Sequence, residues 1–233
     1  MSTDALTTPS SRGRIAFGVT ALLAWFAMAL NLTLTAMGTY PNLQTVPTLL
    51  GFNEPGTAGM VGRVLDFASY FTILSNILVA IIMTMLWRDP KRSGPVFRVM
   101  FLDALLMITV TGLVYWLVLA GNVELQGLEV VTNTLEHTVV PIAAVVVFVA
   151  FGPRGLLRIQ TVFAALLLPI AWAAVTLLRG AAIGAYPYGF INVAQYGYGA
   201  VLINIVAVAV LGTVIGLIYW GIDRGLSRMQ RAR

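Results

Sequence analysis

Tyr70-Phe71-Thr72-Ile73-Leu74-Ser75-Asn76-Ile77-Leu78-Val79-Ala80-Ile81-Ile82-Met83-Thr84-Met85-Leu86 runs without a charged side chain. With Val64 to Ser69 ahead of it, the stretch is long enough to cross a bilayer, which takes about 20 mainly apolar residues. Reading outward from this Val64 to Leu86 segment gives five more spans: about Ile15 to Met37, Val99 to Ala120, Asn133 to Phe151, Leu156 to Leu178 and Tyr198 to Ile222. Composition agrees, since of 233 residues 59% are hydrophobic and 10% charged, against roughly 25% charged in a soluble domain. The chain reads as all-α, a polytopic membrane protein forming a single transmembrane domain over residues 1–233, a compact bundle of six helices. The first apolar run is longer than the core of a secretory signal and five more spans follow, so it reads as a retained helix.

Orientation follows from the basic residues, because cytoplasmic loops are enriched in Lys and Arg. Arg12 and Arg14 precede the first span; Arg88, Lys91, Arg92 and Arg98 lie between the second and third; Arg154 and Arg158 lie between the fourth and fifth; Arg224, Arg228, Arg231 and Arg233 follow the sixth. The opposite side receives only Arg63 and Arg179, with Glu54, Glu124 and Glu129. Both termini are therefore expected in the cytoplasm, with the protein in the cell membrane and membrane lipids as its partners. The net charge of +5 is spread between spans rather than gathered in a patch, which argues against nucleic acid as a partner. Without cysteine, disulfides and thiolate chemistry are excluded. No phosphate loop, nucleotide fingerprint or metal-binding cluster is visible, so no cofactor is expected. Nothing in the sequence specifies an oligomeric state.

An ionisable side chain inside a membrane is costly and usually faces the bundle interior at a functional site. The one histidine, His137, lies in the fourth span, four residues ahead of Pro141. Proline cannot donate to the carbonyl four residues back, so the His137 carbonyl loses a helical partner. In the second span, Ser69, Thr72 and Asn76 fall within about 60° of one another on a continuous helix, forming one polar stripe. Single hydroxyls in membrane helices usually bond their own helix's carbonyls; three polar groups on one face point to an interior site. At 1.5 Å per residue, Thr72 lies roughly 13 Å and His137 roughly 9 Å below the outer surface, so the two can meet. A hydroxyl needs a base to become a nucleophile, and an imidazole supplies one near neutral pH. Asp66 is expected to orient the site or cap its helix. Asn204, about nine residues into the last span, is expected to line the cavity and donate to a substrate carbonyl. Asp103, nearer the cytoplasm, is expected to pair with a basic loop residue. The outer loops from Gly38 to Arg63 and from Arg179 to Gly197 are rich in Gly, Pro, Tyr and Asn, which suits structure that covers a cavity.

Three windows in this order resemble the androgen-induced-protein family of integral-membrane threonine hydrolases, including its bacterial branch: Tyr70-Phe71-Thr72-Ile73-Leu74-Ser75-Asn76, His137-Thr138-Val139-Val140-Pro141, and Tyr186-Pro187-Tyr188-Gly189-Phe190. The resemblance covers about two-thirds of the chain. It implies a helical bundle that cleaves lipid esters, with a threonine nucleophile at Thr72 and a histidine base at His137. Animal members hydrolyse fatty acid esters of hydroxy fatty acids; Ser75-Asn76 here stands where they carry an acidic residue. On this reading the substrate is a lipid or fatty acid ester, and Asn76, Asn204, Ser69 and Tyr188 are the residues expected to bind it or steady the oxyanion. Two other classes stay open. Asp66, Glu136 and His137 could form a proton or ion relay in a transporter or channel. Alternatively, Thr72 and His137 could be interhelical hydrogen-bond partners in a protein without chemistry.

Overall fold

The computed structural model describes residues 11–40, 45–122 and 124–232; part of the first outer loop, residues 41–44, and Arg233 of the C-terminal basic cluster lie outside them. Among the described residues every regular element is a helix, with one isolated bridge between Leu49 and Tyr186. The elements are α1 (Ser11–Met37), α2 (Met60–Ser69), α3 (Phe71–Arg88), α4 (Pro95–Val114), α5 (Leu128–Thr134), α6 (Val140–Phe151), α7 (Ile159–Ala164), α8 (Leu167–Ile183) and α9 (Val193–Arg231). Short π turns, Tyr115–Leu119 and Leu135–Val139, extend α4 and join α5 to α6. Six stretches are long and apolar enough to cross a membrane: Ser11–Met37, Phe71–Arg88, Pro95–Leu119, Leu128–Phe151, Ile159–Ile183 and Val193–Arg231. The chain is a multi-pass helical membrane protein.

Four spans carry the core. Phe17, Ala21 and Ala24 of α1, Val79, Ile82, Met83 and Leu86 of α3, Phe101, Leu102 and Ala104 to Ile108 of α4, and Val140, Ala144 and Phe148 of α6 pack into one cluster, which Val162 of α7 and Ile215 and Tyr219 of α9 complete. Small residues on α1 let α3 lie close, the usual solution where helices gain nothing from excluding water. The start of α1 meets the end of α3, where Arg14 Nε donates to the Trp87 carbonyl. The last turns of α9 meet the 152–158 loop, where Asp223 accepts from the Gly155 and Leu157 N–H groups. The basic loops thus gather on one face of the bundle. On the opposite face the two lone arginines are consumed internally. Arg63 caps the C-terminus of α1 by donating to the carbonyls of Thr35 and Ala36, where the helix dipole favours a cation. It also holds the carbonyls of Glu54 and Gly56.

The second expected span is not one helix. Tyr70 is extended (φ −75°, ψ 134°) and divides it into α2 and α3. The last span is also interrupted, at Gly197 (φ 72°, ψ 164°), and then runs to Arg231, beyond the expected Ile222. The fifth divides between α7 and α8 just ahead of Pro169. Two outer loops join over the break at Tyr70: Leu50 N–H donates to the Tyr186 carbonyl, Tyr186 N–H to that of Thr48, and Asn192 Nδ2 to Thr48 Oγ1. Gly180 of α8 is the seat for this loop, since any Cβ there would fall inside the Tyr186 ring.

Candidate active site

Several threonine hydroxyls in the described spans bond the carbonyl four residues back on their own helix, as Thr20, Thr33, Thr84, Thr109 and Thr213 do. That pattern satisfies a hydroxyl in hydrocarbon without any site. Thr72 cannot follow it. The break at Tyr70 puts its would-be acceptor, the carbonyl of Ala68, on a different helix, and the Thr72 hydroxyl lies 3.1 Å from His137 Nε2 instead. Ser69, on the far side of the break, ends on another face: it is half-buried and donates to Leu65 O. The expected stripe of Ser69, Thr72 and Asn76 is therefore corrected, because its members do not share one helix.

Hydrogen-bond logic fixes the tautomer of His137. Nδ1 lies 3.1 Å from the Asn133 carbonyl oxygen, which can only accept, so Nδ1 carries the proton and Nε2 offers its lone pair to Thr72. The π turn makes this contact available. Val140 N–H reaches back five residues to Leu135, and the widened turn disturbs the ordinary ladder around Asn133. A second π turn faces it from α4, and its first residue, Tyr115, stacks on the imidazole with centroids 4.1 Å apart and planes 24° from parallel. Such turns are rare and concentrate at functional sites. The carbonyl freed by Pro141 faces Gly112, where a Cβ would sit 3.4 Å from His137 O and 3.3 Å from Pro141 Cβ; a small residue there lets α4 approach the kinked segment.

Thr72 occupies the second position of α3, so its hydroxyl stands among the free N–H groups of a helix N-terminus, where negative charge is stabilised. Its own N–H donates to the Tyr188 hydroxyl at 3.3 Å, and that hydroxyl lies 3.4 Å from Thr72 Oγ1. Burial pushes the Tyr188 phenol up to about 12; hydrogen bonds from the Thr72 side chain and from the Thr72 and Phe71 backbone pull it back by less. Tyr188 is thus a neutral donor at physiological pH. The Thr72 carbonyl is clamped by Ser75 Oγ at 2.9 Å and Asn76 Nδ2 at 2.9 Å, and Thr111 supports Ser75 at 2.8 Å.

Several expected roles are corrected by this geometry. Asn76 donates both to Thr72 O and to Glu136 O, so its amide N–H groups face backbone rather than a substrate. Asn204 Nδ2 donates to the Phe190 carbonyl at 2.8 Å and pins the loop that carries Tyr188 instead of lining the cavity. Asp66 does not orient the imidazole. It pairs with Arg179 at 2.7 Å and accepts from Gly51 N–H and Asn53 Nδ2, tying α2 to α8 and the first loop. Asp103 forms no ion pair among the described residues, and its Oδ1 is buried without a hydrogen-bond partner. Glu136 accepts from Asn31 at 2.7 Å, so the side chains of Asp66, Glu136 and His137 belong to three separate networks. Sequence reading missed Tyr115 and the Asn133 carbonyl; an aromatic near a span end reads as an interfacial anchor, and no side-chain pattern announces a π turn.

Thr72 and Tyr188 open on a narrow chamber of about 80 Å³. Its walls come from α4, α8, α9 and the Tyr188 loop, and Thr72, Thr111, Trp172 and Tyr188 bring its few polar atoms. His137 is not among its lining residues and reaches the Thr72 hydroxyl through Nε2. An apolar cavity with a few convergent polar groups is the usual form of a small-molecule site. Among the described residues, no cluster of three His, Asp or Glu side chains exists to hold a metal ion. Compared with protein-family models, with curated proteins and with solved structures, the chain matches none.

Proposed function

We propose that this protein is an intramembrane hydrolase of lipid or fatty acid esters, with Thr72 as nucleophile and His137 as base. The observation that carries the reading is the 3.1 Å contact between a threonine hydroxyl denied its own helix carbonyl and the unprotonated nitrogen of the imidazole. His137 Nε2 takes the Thr72 proton as Oγ bonds to the ester carbonyl carbon. The carbonyl oxygen gains negative charge at the α3 N-terminus, where the Thr72 N–H and the Tyr188 hydroxyl donate to it. The imidazolium, held by the Asn133 carbonyl and the Tyr115 ring, returns the proton to the departing alkoxide. Water then attacks the acyl-threonine with His137 again as base, releasing the acid and restoring the hydroxyl. The resemblance to membrane threonine hydrolases supports the same assignment.

In this reading the basic face is cytoplasmic, both termini lie there, and the site opens toward the outer leaflet of the cell membrane. The test is covalent labelling by a fluorophosphonate ester of the purified protein in detergent. Labelling of the wild type and none of Thr72→Ala supports a nucleophilic Thr72; equal labelling of both rejects it. The separate networks of Asp66, Glu136 and His137 favour this reading over a proton relay.

A further inference from the structure

We infer that the chamber beside Thr72 holds the acyl chain of the substrate, not its alcohol, and that Gly212, Leu106 and Leu166 form a floor that limits acyl length. The inference rests on the hydrolase reading and specifies its substrate.

The direction of the ester follows from where the proton must go. The departing oxygen has to receive its proton from His137, which does not line the chamber and is stacked on Tyr115. The alcohol therefore leaves toward His137, and the acyl chain points the other way, into the cavity between α4, α8 and α9. The lining there is a set of parallel stripes at helical spacing: Leu106, Val110 and Val114 on α4, and Ile205, Ala209 and Gly212 on α9. From Val114 down to Leu106 the wall descends about 12 Å at 1.5 Å per residue. An extended alkyl chain of bonds near 1.5 Å advances roughly 1.3 Å per carbon, so that depth accommodates about nine carbons.

Two glycines one turn apart define the bottom. A Cβ on Gly212 would meet Leu106 Cδ2 at 3.5 Å and Leu166 Cδ2 at 3.7 Å, ordinary contact distances that leave the last of the space open. A Cβ on Gly216 would meet Val162 Cγ1 at 2.9 Å, so below this level α9 is closed against α7. The side is open instead: Ile170 lines the chamber and is still 51% exposed on the outer surface of the bundle. A chain entering from the membrane leaves hydrocarbon for hydrocarbon. Length selection is then steric and not a gain in affinity, because lipid tails are as apolar as the wall.

The test is hydrolysis of p-nitrophenyl esters from butanoyl to hexadecanoyl by the full-length protein in mixed micelles, compared among wild type, Gly212→Leu and Leu106→Ala. Wild type is expected to fall off steeply beyond about nine or ten acyl carbons. Gly212→Leu should move the fall-off shorter by roughly three carbons and Leu106→Ala should move it longer. Opposite shifts in two variants are not produced by general damage to the fold. A parallel series with octanoyl fixed and the alcohol lengthened should give the same profile in all three proteins. Turnover with a flat acyl profile, or a limit that follows the alcohol, overturns the chamber assignment while leaving Thr72 chemistry standing. No turnover of any ester together with no fluorophosphonate labelling overturns both readings.

Discussion

In the second and third spans, 56% of the apolar window is buried inside the protein, whereas in the fifth and sixth the share is 22%. Thr72 and the Tyr115 ring belong to the first pair, and much of the wall of the chamber to the second. His137 hangs between them on a fourth span whose window is 33% buried. The difference separates two tasks. A proton transfer needs partners fixed to within fractions of an ångström, which close packing among α1, α3, α4 and α6 provides. Admitting a chain from the membrane, on the proposed reading, needs an opening to lipid, and Ile170 of α8 both lines the chamber and is 51% exposed.

The comparison can be broken most directly at the imidazole. His137→Ala should lower ester hydrolysis by about 10²- to 10⁴-fold, with a loss of stability of about 2 to 4 kcal/mol as the ring's stack on Tyr115 and its two hydrogen bonds go. A large fall in melting temperature without any activity to lose would instead make the pair a piece of packing. Next comes the donor supplied from the loosely packed side. Tyr188→Phe should reduce kcat by about 10²-fold, the usual consequence of losing one oxyanion donor, with little change in KM.

Gly180→Ala tests how the loop is seated. Its Cβ collides with the Tyr186 ring, and overpacking of this kind destabilises by about 1 to 3 kcal/mol; hydrolysis should drop about tenfold as Tyr188 is displaced, read by parallel assays of rate and melting temperature. Arg179→Gln breaks the ion pair to Asp66, whose side chains are 28% and 14% exposed. Being neither fully exposed nor deeply buried, it should cost about 1 kcal/mol, seen as a small drop in melting temperature. Ile203→Val, on a surface that is 71% exposed, should change neither rate nor stability measurably, and an effect there would show that the outer face of α9 is covered.

How legible this was depended on which force was at work. The spans were readable because hydropathy over about 20 residues is set by the bilayer itself. Thr72 and His137 were readable because polar groups stand out in such runs. The role of Ser69 was not, since it turned on a single extended residue at Tyr70, where neither Gly nor Pro marks a break. Asn204 and Asp66 were assigned by depth alone, and depth does not say that Phe190 O or Arg179 lies nearer than a ligand. Tyr115 escaped because its stacking depends on a π turn in each of two helices.

The break at Tyr70 bears on a problem peculiar to chemistry carried out in oil, where the solvent is itself made of acyl chains. A phospholipid tail can fill the chamber, but it has nothing to offer the N–H of Thr72, which in the resting protein is held by the Tyr188 phenol. On the hydrolase reading, an ester carbonyl takes over from that phenol without stranding a donor in a medium that solvates none. On that reading, choice of an ester over plain hydrocarbon rests on one backbone amide, while choice among esters rests on the chamber floor.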